Sequence, residues 1–189
     1  MNNPLTVLAP QLFGEYPRPF ERLYDAVSIS KEMDDDEVKL KLWKAYEFGL
    51  NYHKGQKRQS GEPFFNHCIA VASTLADWQM DLTTIIAGLL HDTVEDTDAT
   101  LDELKDDFGN DVADLVDGVS KISGIEFSSR KEKQVGNFMK MLLSVAKDLR
   151  VIIIKFADRL HNMETIGHMS QIKQHRVAVE TREIYAPLA

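Results

Sequence analysis

Four side chains that suit a divalent metal lie far apart in this sequence. His67 begins an apolar helical stretch, and His91 and Asp92 end another. Asp158 lies within a third stretch of the same kind. Two imidazoles and two carboxylates form a mixed nitrogen–oxygen set, which suits a borderline divalent cation such as that of Mn, Fe, Co or Zn. The residue types therefore predict one metal site assembled from three segments of the chain.

A second pair of carboxylates follows the His-Asp pair at helical spacing. Glu95 and Asp96 come four residues after His91 and Asp92, so that a helix places them on the same faces. Carboxylates beside a metal can orient an attacking water molecule and carry its proton. The metal would lower the pKa of that water and neutralise charge on a phosphoryl oxygen. The pattern predicts metal-assisted hydrolysis of a phosphate compound.

Each of these features also has an explanation that needs no metal. His91 and Asp92 could cap and solvate a helix end, as such pairs commonly do. Asp158 could form a buried ion pair with Arg159 or Lys155. The joint occurrence of all the elements, in order along the chain, is what favours the metal.

Other residues of similar chemistry are assigned to structure rather than to the site. Cys68 adjoins His67, but we expect the helix to direct the thiol elsewhere. Trp43 and Trp78 are predicted to lie in the core. The remaining histidines are predicted to be surface or core residues, namely His53, His161, His168 and His175.

Length and charge restrict the class of protein and its partners. A chain of 189 residues suits one domain with one sizeable core. The formal net charge of −8 argues against nucleic acid or an anionic membrane as the partner. No apolar run is long enough to span a membrane, no secretory signal is present, and Cys68 is the only cysteine. We expect a cytoplasmic protein that acts on a small molecule.

The elements that must position these residues are predicted to be helices throughout. Residues 1–35 are expected to form an irregular arm with one short helix, and residues 36–189 the main domain. Val151–Ile154 has strand-like composition, but no other segment offers a strand to pair with it, so we predict a buried helix. The predicted helices are Phe20–Ile29, Asp34–Gly55, His67–Trp78, Leu82–Asp96, Leu101–Phe108, Asp111–Ile122, Val135–Lys147, Arg150–Met163 and Gln171–Pro187.

Side-chain caps should fix several of the helix starts. Asn66 and Asp81 are predicted N-caps, and Thr100 with Glu103 matches a capping box. The polar residues 123–134 are expected to form a mobile loop. The fold class is therefore all-α, with helices packed around one core.

Four stretches of the sequence resemble a known family. These are "HKGQKRQSGEPFFNH", "AGLLHDTVEDT", "FGNDVADLVDGVSKI" and "IIIKFADRLHNMETI". They resemble the hydrolase domain of the bifunctional Rel/SpoT alarmone synthetase/hydrolases, which belongs to the HD superfamily of metal phosphohydrolases. The similarity runs from about Leu42 to the C-terminus. It implies an all-α fold that removes the 3′-pyrophosphate of guanosine tetra- or pentaphosphate.

The resemblance also implies roles for individual residues. Gln59 replaces a Lys or Ser that is frequent in the family, and Gly136 and Met139 stand where the family usually has Glu and Arg. The implied Mn²⁺ ligands are His67, His91, Asp92 and Asp158, the implied catalytic pair is Glu95 and Asp96, and the implied guanine contacts are Arg58, Gln59, Ser60, Asn162 and, more weakly, Thr165.

Two alternative functions are compatible with these motifs, and the resemblance implies one additional domain. A related HD enzyme could release phosphate from another nucleotide, and a regulatory module could bind alarmone without hydrolysing it. The intact ligand residues argue against the module. The final "YAPLA" resembles the point where the family leaves this domain, so a synthetase domain is expected to follow in a full-length protein.

Overall fold

The computed structural model describes residues 16–28, 35–121 and 129–189, and this part of the chain is helical without β-strands. An isolated bridge joins Lys57 to Pro63. The all-α prediction is confirmed. The helices are α1 (Arg18–Ser28), α2 (Asp35–Tyr52), α3 (Phe65–Asp77), α4 (Leu82–Leu90), α5 (Thr93–Asp96), α6 (Leu101–Phe108), α7 (Asn110–Val119), α8 (Arg130–Lys147), α9 (Arg150–Glu164) and α10 (Gln171–Glu180).

Two short irregular helices complete the C-terminal part of the chain. A 3₁₀ turn, Ile166–His168, links α9 to α10, and a π-helical turn, Thr181–Tyr185, follows α10. In the ranges described, no helix combines the length and the apolar character needed to cross a lipid bilayer.

The centre of the core is α4, an apolar helix that contacts α2, α3, α7 and α9. Asp81 caps it by accepting a hydrogen bond from the Thr84 backbone N–H at 3.1 Å, as predicted. A Cβ atom at Gly88 would lie only 2.3 Å from Cδ1 of Leu75 on α3. The glycine therefore permits the close approach of α3 and α4. Because α4 is held on all sides, its C-terminal end is a rigid support for the residues that follow.

The first helix packs into the same core, although it lies in the predicted N-terminal arm. Phe20, Leu23 and Val27 of α1 are completely buried, and α1 packs against α3. The Phe20 ring also meets those of Trp43 and Tyr46 edge-on, at 4.9 and 5.5 Å between centroids. These aromatic contacts join α1 to α2.

Several local predictions need correction. Asn66 is not a cap, because α3 begins at Phe65 and Asn66 is already its second residue. The residue at the N-cap position is Phe64, which makes no side-chain capping hydrogen bond. Trp78 follows α3 at a sharp reversal in which Gln79 has a φ of +58°, so its side chain is 42% exposed rather than in the core. Trp43 is buried, as predicted.

Two predicted boundaries also differ from the structure. The helix predicted over Leu82–Asp96 is interrupted by a turn at His91 and Asp92. The predicted loop 123–134 ends earlier, because α8 begins at Arg130 with Ser129 as its cap. Residues 123–128 of that loop lie outside the described part of the chain.

The strand-like run in α9 is helical, as predicted. Val151, Ile154 and Ala157 form its buried stripe, at a helical spacing of three residues. The capping box of α6 is also present, with Thr100 and Glu103 each accepting a hydrogen bond from the other's backbone. Burial against α3, α4 and α7 outweighs the weak helix propensity of β-branched residues in α9.

Candidate metal centre

The four predicted metal ligands converge although they come from three parts of the chain. Nε2 of His67 lies 3.6 Å from Oδ2 of Asp92 and 3.2 Å from Oδ1 of Asp158. Nε2 of His91 lies 3.0 Å from the same Asp92 oxygen and 3.9 Å from the same Asp158 oxygen. Two nitrogens and two oxygens thus surround one point.

The packing of three helices produces this convergence. His67 lies in the first turn of α3, the His91–Asp92 turn follows α4, and Asp158 lies in the middle of α9. Each of these helices contacts the other two. The centre is consequently built on the core rather than on loops.

The His91 ring is oriented to offer a free nitrogen to a cation. Its Nδ1–H donates to the carbonyl oxygen of Gly88 at 2.8 Å, which leaves Nε2 as the acceptor atom. Nε2 is buried and makes no hydrogen bond of good geometry among the residues described, although Oδ2 of the predicted ligand Asp92 lies 3.0 Å away. A buried polar atom without a partner is costly, and a bound cation would satisfy it. The donor set therefore fits a divalent metal ion.

The charges of the cluster also suit cation binding. Burial opposes ionisation of Asp92, but the neighbouring His91 lowers the pKa of its carboxyl to about 2. Burial likewise opposes a charge on His91, yet the Asp92 and Asp158 carboxylates raise its pKa to about 9, so that a metal ion would displace the Nε2 proton when it binds. Hydrogen bonding with His67 and the charge of His91 hold the pKa of Asp158 well below its usual range, against burial. The carboxylates are ionised at neutral pH, as metal ligands must be.

Cys68 lies closer to this cluster than predicted. Its Sγ atom and one ligand atom each from His91 and Asp92 all lie within 4.8 Å of one another. Burial raises the pKa of the thiol well above its ordinary value, so the thiol stays protonated. A protonated thiol is a poor metal ligand, which leaves His67 as the fourth donor.

The two predicted catalytic carboxylates lie beside the centre in different environments. Both Glu95 oxygens accept hydrogen bonds from Lys121, one from Nζ and one from the backbone N–H. The backbone carbonyl of Asp96 accepts from Nε2 of Gln56 at 2.7 Å. Partial burial, followed by the charges of Asp92 and Glu95, raises the pKa of the Asp96 carboxyl. Glu95 is fixed by a cation, and Asp96 is disposed to take up a proton.

Two of the predicted guanine contacts are linked by hydrogen bonds to the four predicted ligands His67, His91, Asp92 and Asp158 (the metal cluster). Nη2 of Arg58 donates to Oδ1 of Asn162 at 2.6 Å. Nδ2 of Asn162 in turn donates to Oδ1 of Asp158 at 2.5 Å. Arg58 and Asn162 are thereby linked to a predicted ligand.

The other three predicted contacts line a neighbouring cavity of about 180 Å³. Gln59 and Ser60 lie in the loop before α3, and Thr165 lies after α9. Thr165 donates its hydroxyl to the His161 carbonyl at 2.8 Å, and Ser60 accepts from the Glu62 backbone N–H at 3.4 Å. Arg58 lines both this cavity and the larger one at the metal cluster.

A cavity of about 510 Å³ opens in front of the metal cluster, a volume that suits a nucleotide-sized ligand. Its lining also includes three cationic side chains from α9 and α10, namely Lys155, Lys173 and Arg176. These three cations form no ion pair with any residue that the structure describes. Arg159 lies beside them, paired with Glu180 at 3.2 Å. The lining of the cavity thus combines the carboxylates of the metal cluster with a set of cations.

Sequence reasoning missed two residues of this site. His161, predicted to be a surface or core residue, has Nδ1 only 2.8 Å from Nδ1 of His67. Burial and the charges of His67 and Arg58 lower its pKa to about 4. The sequence could have identified His161, because it follows Asp158 by three residues and so lies on the same face of the helix. Lys121 gave no such signal, because it lies 26 residues from Glu95 and meets it only in the folded chain.

Comparison with known proteins agrees with this geometry. Residues 45–189 match the HD domain family. The chain is 44% identical over 192 residues to a Myxococcus xanthus protein named GTP pyrophosphokinase, covering 94% of this chain and 25% of that protein. It is 47% identical over 161 residues to the bifunctional (p)ppGpp synthase/hydrolase SpoT of Escherichia coli K12, covering 85% and 23%. The chain therefore spans a quarter or less of these relatives.

Two further similarities concern proteins named for hydrolysis. A Haemophilus influenzae guanosine-3′,5′-bis(diphosphate) 3′-pyrophosphohydrolase is 51% identical over 137 residues, covering 72% of this chain and 20% of that protein. A solved structure described as "A metazoan ortholog of SpoT hydrolyzes ppGpp and plays a role in starvation responses" has a TM-score of 0.65 at 27% identity. That match covers 76% of this chain and 83% of the other. The predicted resemblance to the Rel/SpoT proteins is confirmed, and the chain belongs to the HD domain family.

Proposed function

We propose that this chain hydrolyses the 3′-pyrophosphate of guanosine tetra- and pentaphosphate in the cytoplasm, giving GDP or GTP and pyrophosphate. The convergence of two buried imidazole nitrogens and two carboxylate oxygens on one point carries the proposal. Two relatives support the choice of substrate. The Haemophilus influenzae protein is named for this reaction, and the metazoan protein of known structure is described as hydrolysing ppGpp.

His67, His91, Asp92 and Asp158 would hold the divalent cation, for which we propose Mn²⁺. A divalent cation bound there would lower the pKa of a water molecule and neutralise charge on a phosphoryl oxygen. The mixed imidazole and carboxylate set supports a borderline metal over a purely oxygen-seeking one.

Glu95 and Asp96 would serve as the catalytic pair, with separate roles. Lys121 holds the Glu95 carboxylate at both oxygens, so Glu95 would orient the attacking water by accepting a hydrogen bond. The raised pKa of Asp96 supports a role as the group that takes the water proton on its carboxylate oxygen. The oxygen of the water would bond to phosphorus as the bond between phosphorus and the ribose 3′ oxygen breaks, and the leaving oxygen would take up the proton that Asp96 received.

Two sets of residues in the large cavity would recognise different parts of the nucleotide. The 3′-pyrophosphate would lie at the metal cluster, and the 5′-phosphates would face Lys155, Lys173 and Arg176. These three local cations would hold an anionic substrate on a protein whose formal net charge is −8. The proposed guanine contacts are Arg58, Gln59, Ser60, Asn162 and Thr165.

Chromatography of the products tests this proposal directly. We expect guanosine tetraphosphate to yield GDP and pyrophosphate with Mn²⁺, and to stay intact after a chelator is added. Asp92→Ala should abolish both turnover and Mn²⁺ binding. Asp114→Ala, which removes an exposed carboxylate from α7, should retain both.

A panel of nucleotides separates this proposal from its rivals. Phosphate release from other nucleotides, without pyrophosphate from the alarmone, would indicate a different HD phosphatase. Tight alarmone binding without any turnover in the presence of Mn²⁺ would indicate a regulatory module. Either result would overturn the proposed reaction.

A further inference from the structure

Arg58 reaches two of the proposed metal ligands, each through one intermediate side chain. Nη1 lies 3.1 Å from Nδ1 of His161, which is itself 2.8 Å from Nδ1 of His67. Nη2 donates to Asn162, which donates to Asp158. The two arms of one guanidinium thus lead to ligands on two different helices, α3 and α9.

The chemistry of the three groups fixes the direction of the first arm. A guanidinium has only donors, so Nδ1 of His161 must be the acceptor of the contact with Arg58. The same Nδ1 atom is the partner of His67, and two unprotonated nitrogens cannot bond to each other. Nδ1 of His67 therefore carries the hydrogen and donates it to His161. Nε2 of His67 is then left with its lone pair directed at the metal point.

This arrangement is the same in kind as the one that orients His91. There the backbone carbonyl of Gly88 accepts the Nδ1–H and leaves Nε2 free. For His67 the acceptor is Nδ1 of His161. That nitrogen is kept unprotonated because it also accepts from the Arg58 guanidinium. Partners of this kind hold a ligating ring in one tautomer and orientation, and their loss typically weakens metal affinity.

We propose that His161 and Arg58 are positioning residues of the metal centre. His161 fixes the tautomer and orientation of His67, and Arg58 anchors both His161 and Asn162. The inference rests on the metal site of the proposed function. It adds that the loop before α3 takes part in building the metal centre, besides its proposed contact with the nucleotide.

Isothermal titration with Mn²⁺ alone tests the proposal without any substrate. We expect His161→Leu to raise the Kd for Mn²⁺ by about 10- to 100-fold, because the acceptor for His67 is lost. His161→Asn should remain within about threefold of wild type, because its Oδ1 can accept at the place of the imidazole Nδ1. Thermal melting without metal provides the check that each variant is folded.

The Arg58 arm has its own variant and its own matched control. Arg58→Met should also weaken Mn²⁺ binding about 10-fold, although Arg58 is not a ligand. Lys57→Met removes the neighbouring, exposed cation from the same loop and should leave the Kd unchanged. Wild-type affinity in both His161→Leu and Arg58→Met would overturn the proposal. An equal loss in His161→Asn and His161→Leu would also overturn it.

Nitrogen-15 chemical shifts of the histidine rings give a second test on the unaltered chain. We expect a protonated Nδ1 in His67 and an unprotonated Nδ1 in His161, and the reverse would refute the inference even if a variant fails to fold. Failure of the metal site itself is distinguishable, because wild-type protein would then bind no Mn²⁺, and failure of the proposed reaction would show in the products formed by the wild type. Failure of this inference alone leaves wild-type binding and turnover intact.

Discussion

Glu95 and Asp96 are neighbours in sequence, yet their surroundings assign them different chemistry. The Lys121 ammonium and backbone N–H hold Glu95, whereas Asp96 experiences partial burial and the charges of Asp92 and Glu95. Lys121 also lowers the pKa of Asp96, so one cation acts on both members of the pair. The environment thus makes the Asp96 carboxylate a better proton acceptor than an ordinary aspartate.

Lys121→Met should shift the acidic limb of the kcat/KM profile to higher pH. Removing the cation destabilises the Asp96 carboxylate, and its pKa therefore rises further. Because Asp96 must be ionised to accept a proton, activity is then lost at a higher pH as the solution is acidified. Initial rates measured across pH with guanosine tetraphosphate provide the measurement.

The control for this experiment is Lys105→Met, which removes an exposed cation from α6. Its acidic limb should coincide with that of the wild type. If Lys121→Met gives the same limb as Lys105→Met, Asp96 is not the group that takes the proton.

At the scale of elements, α4 is the support on which the centre depends. Its C-terminal end places His91 and Asp92, and the carbonyl of Gly88 orients the His91 ring. The position of that end relative to α3 depends on the absence of a side chain at Gly88, where Leu75 packs directly against the backbone. A packing feature of the core thereby controls the geometry of the site.

Gly88→Val should lower the free energy of unfolding by about 2 kcal/mol or more, because the added atoms overlap the fully buried Leu75. Gly167→Val is the matched control, since no atom lies within 4 Å of its Cβ position, and it should stay within about 0.5 kcal/mol. Urea denaturation gives both values. Equal stability of the two variants would show that the contact between α3 and α4 tolerates a side chain.

At the scale of the whole molecule, the separation of charge inside the cavity matters more than the net charge. The chain is acidic overall, but α9 and α10 add Lys155, Lys173 and Arg176 to the cavity that also holds the carboxylates of the metal cluster. Because the proposed ligands come from α3, α9 and the turn after α4, a bound cation would cross-link the core. Metal binding is therefore expected to stabilise the entire domain.

Mn²⁺ at about 100 times its Kd should add about 2.7 kcal/mol to the free energy of unfolding, through preferential binding to the folded state. A chelator should reverse the gain. Asp158→Asn should show almost none of it, because a carboxylate ligand on α9 is lost. Comparable stabilisation of wild type and Asp158→Asn by Mn²⁺ would place the cation elsewhere.

The sequence by itself determined the helical fold class and most of the helix positions. Helical periodicity and the caps at Asp81 and Thr100 are local properties, which a sequence displays directly. Residue chemistry also singled out His67, His91, Asp92 and Asp158 as one set of donors. The prediction of Asn66 as a cap was wrong, because the helix already begins at Phe65 and Phe64 before it has helical backbone angles.

Only the tertiary structure decided how these residues are combined. His161 and His67 are 94 residues apart, and Lys121 and Glu95 are 26 apart, so their contacts depend on the packing of helices. The exposure of Trp78 likewise follows from the chain reversal after α3. A side chain's type limits what it can donate or accept, but the partner that it meets is set by the three-dimensional arrangement of the core.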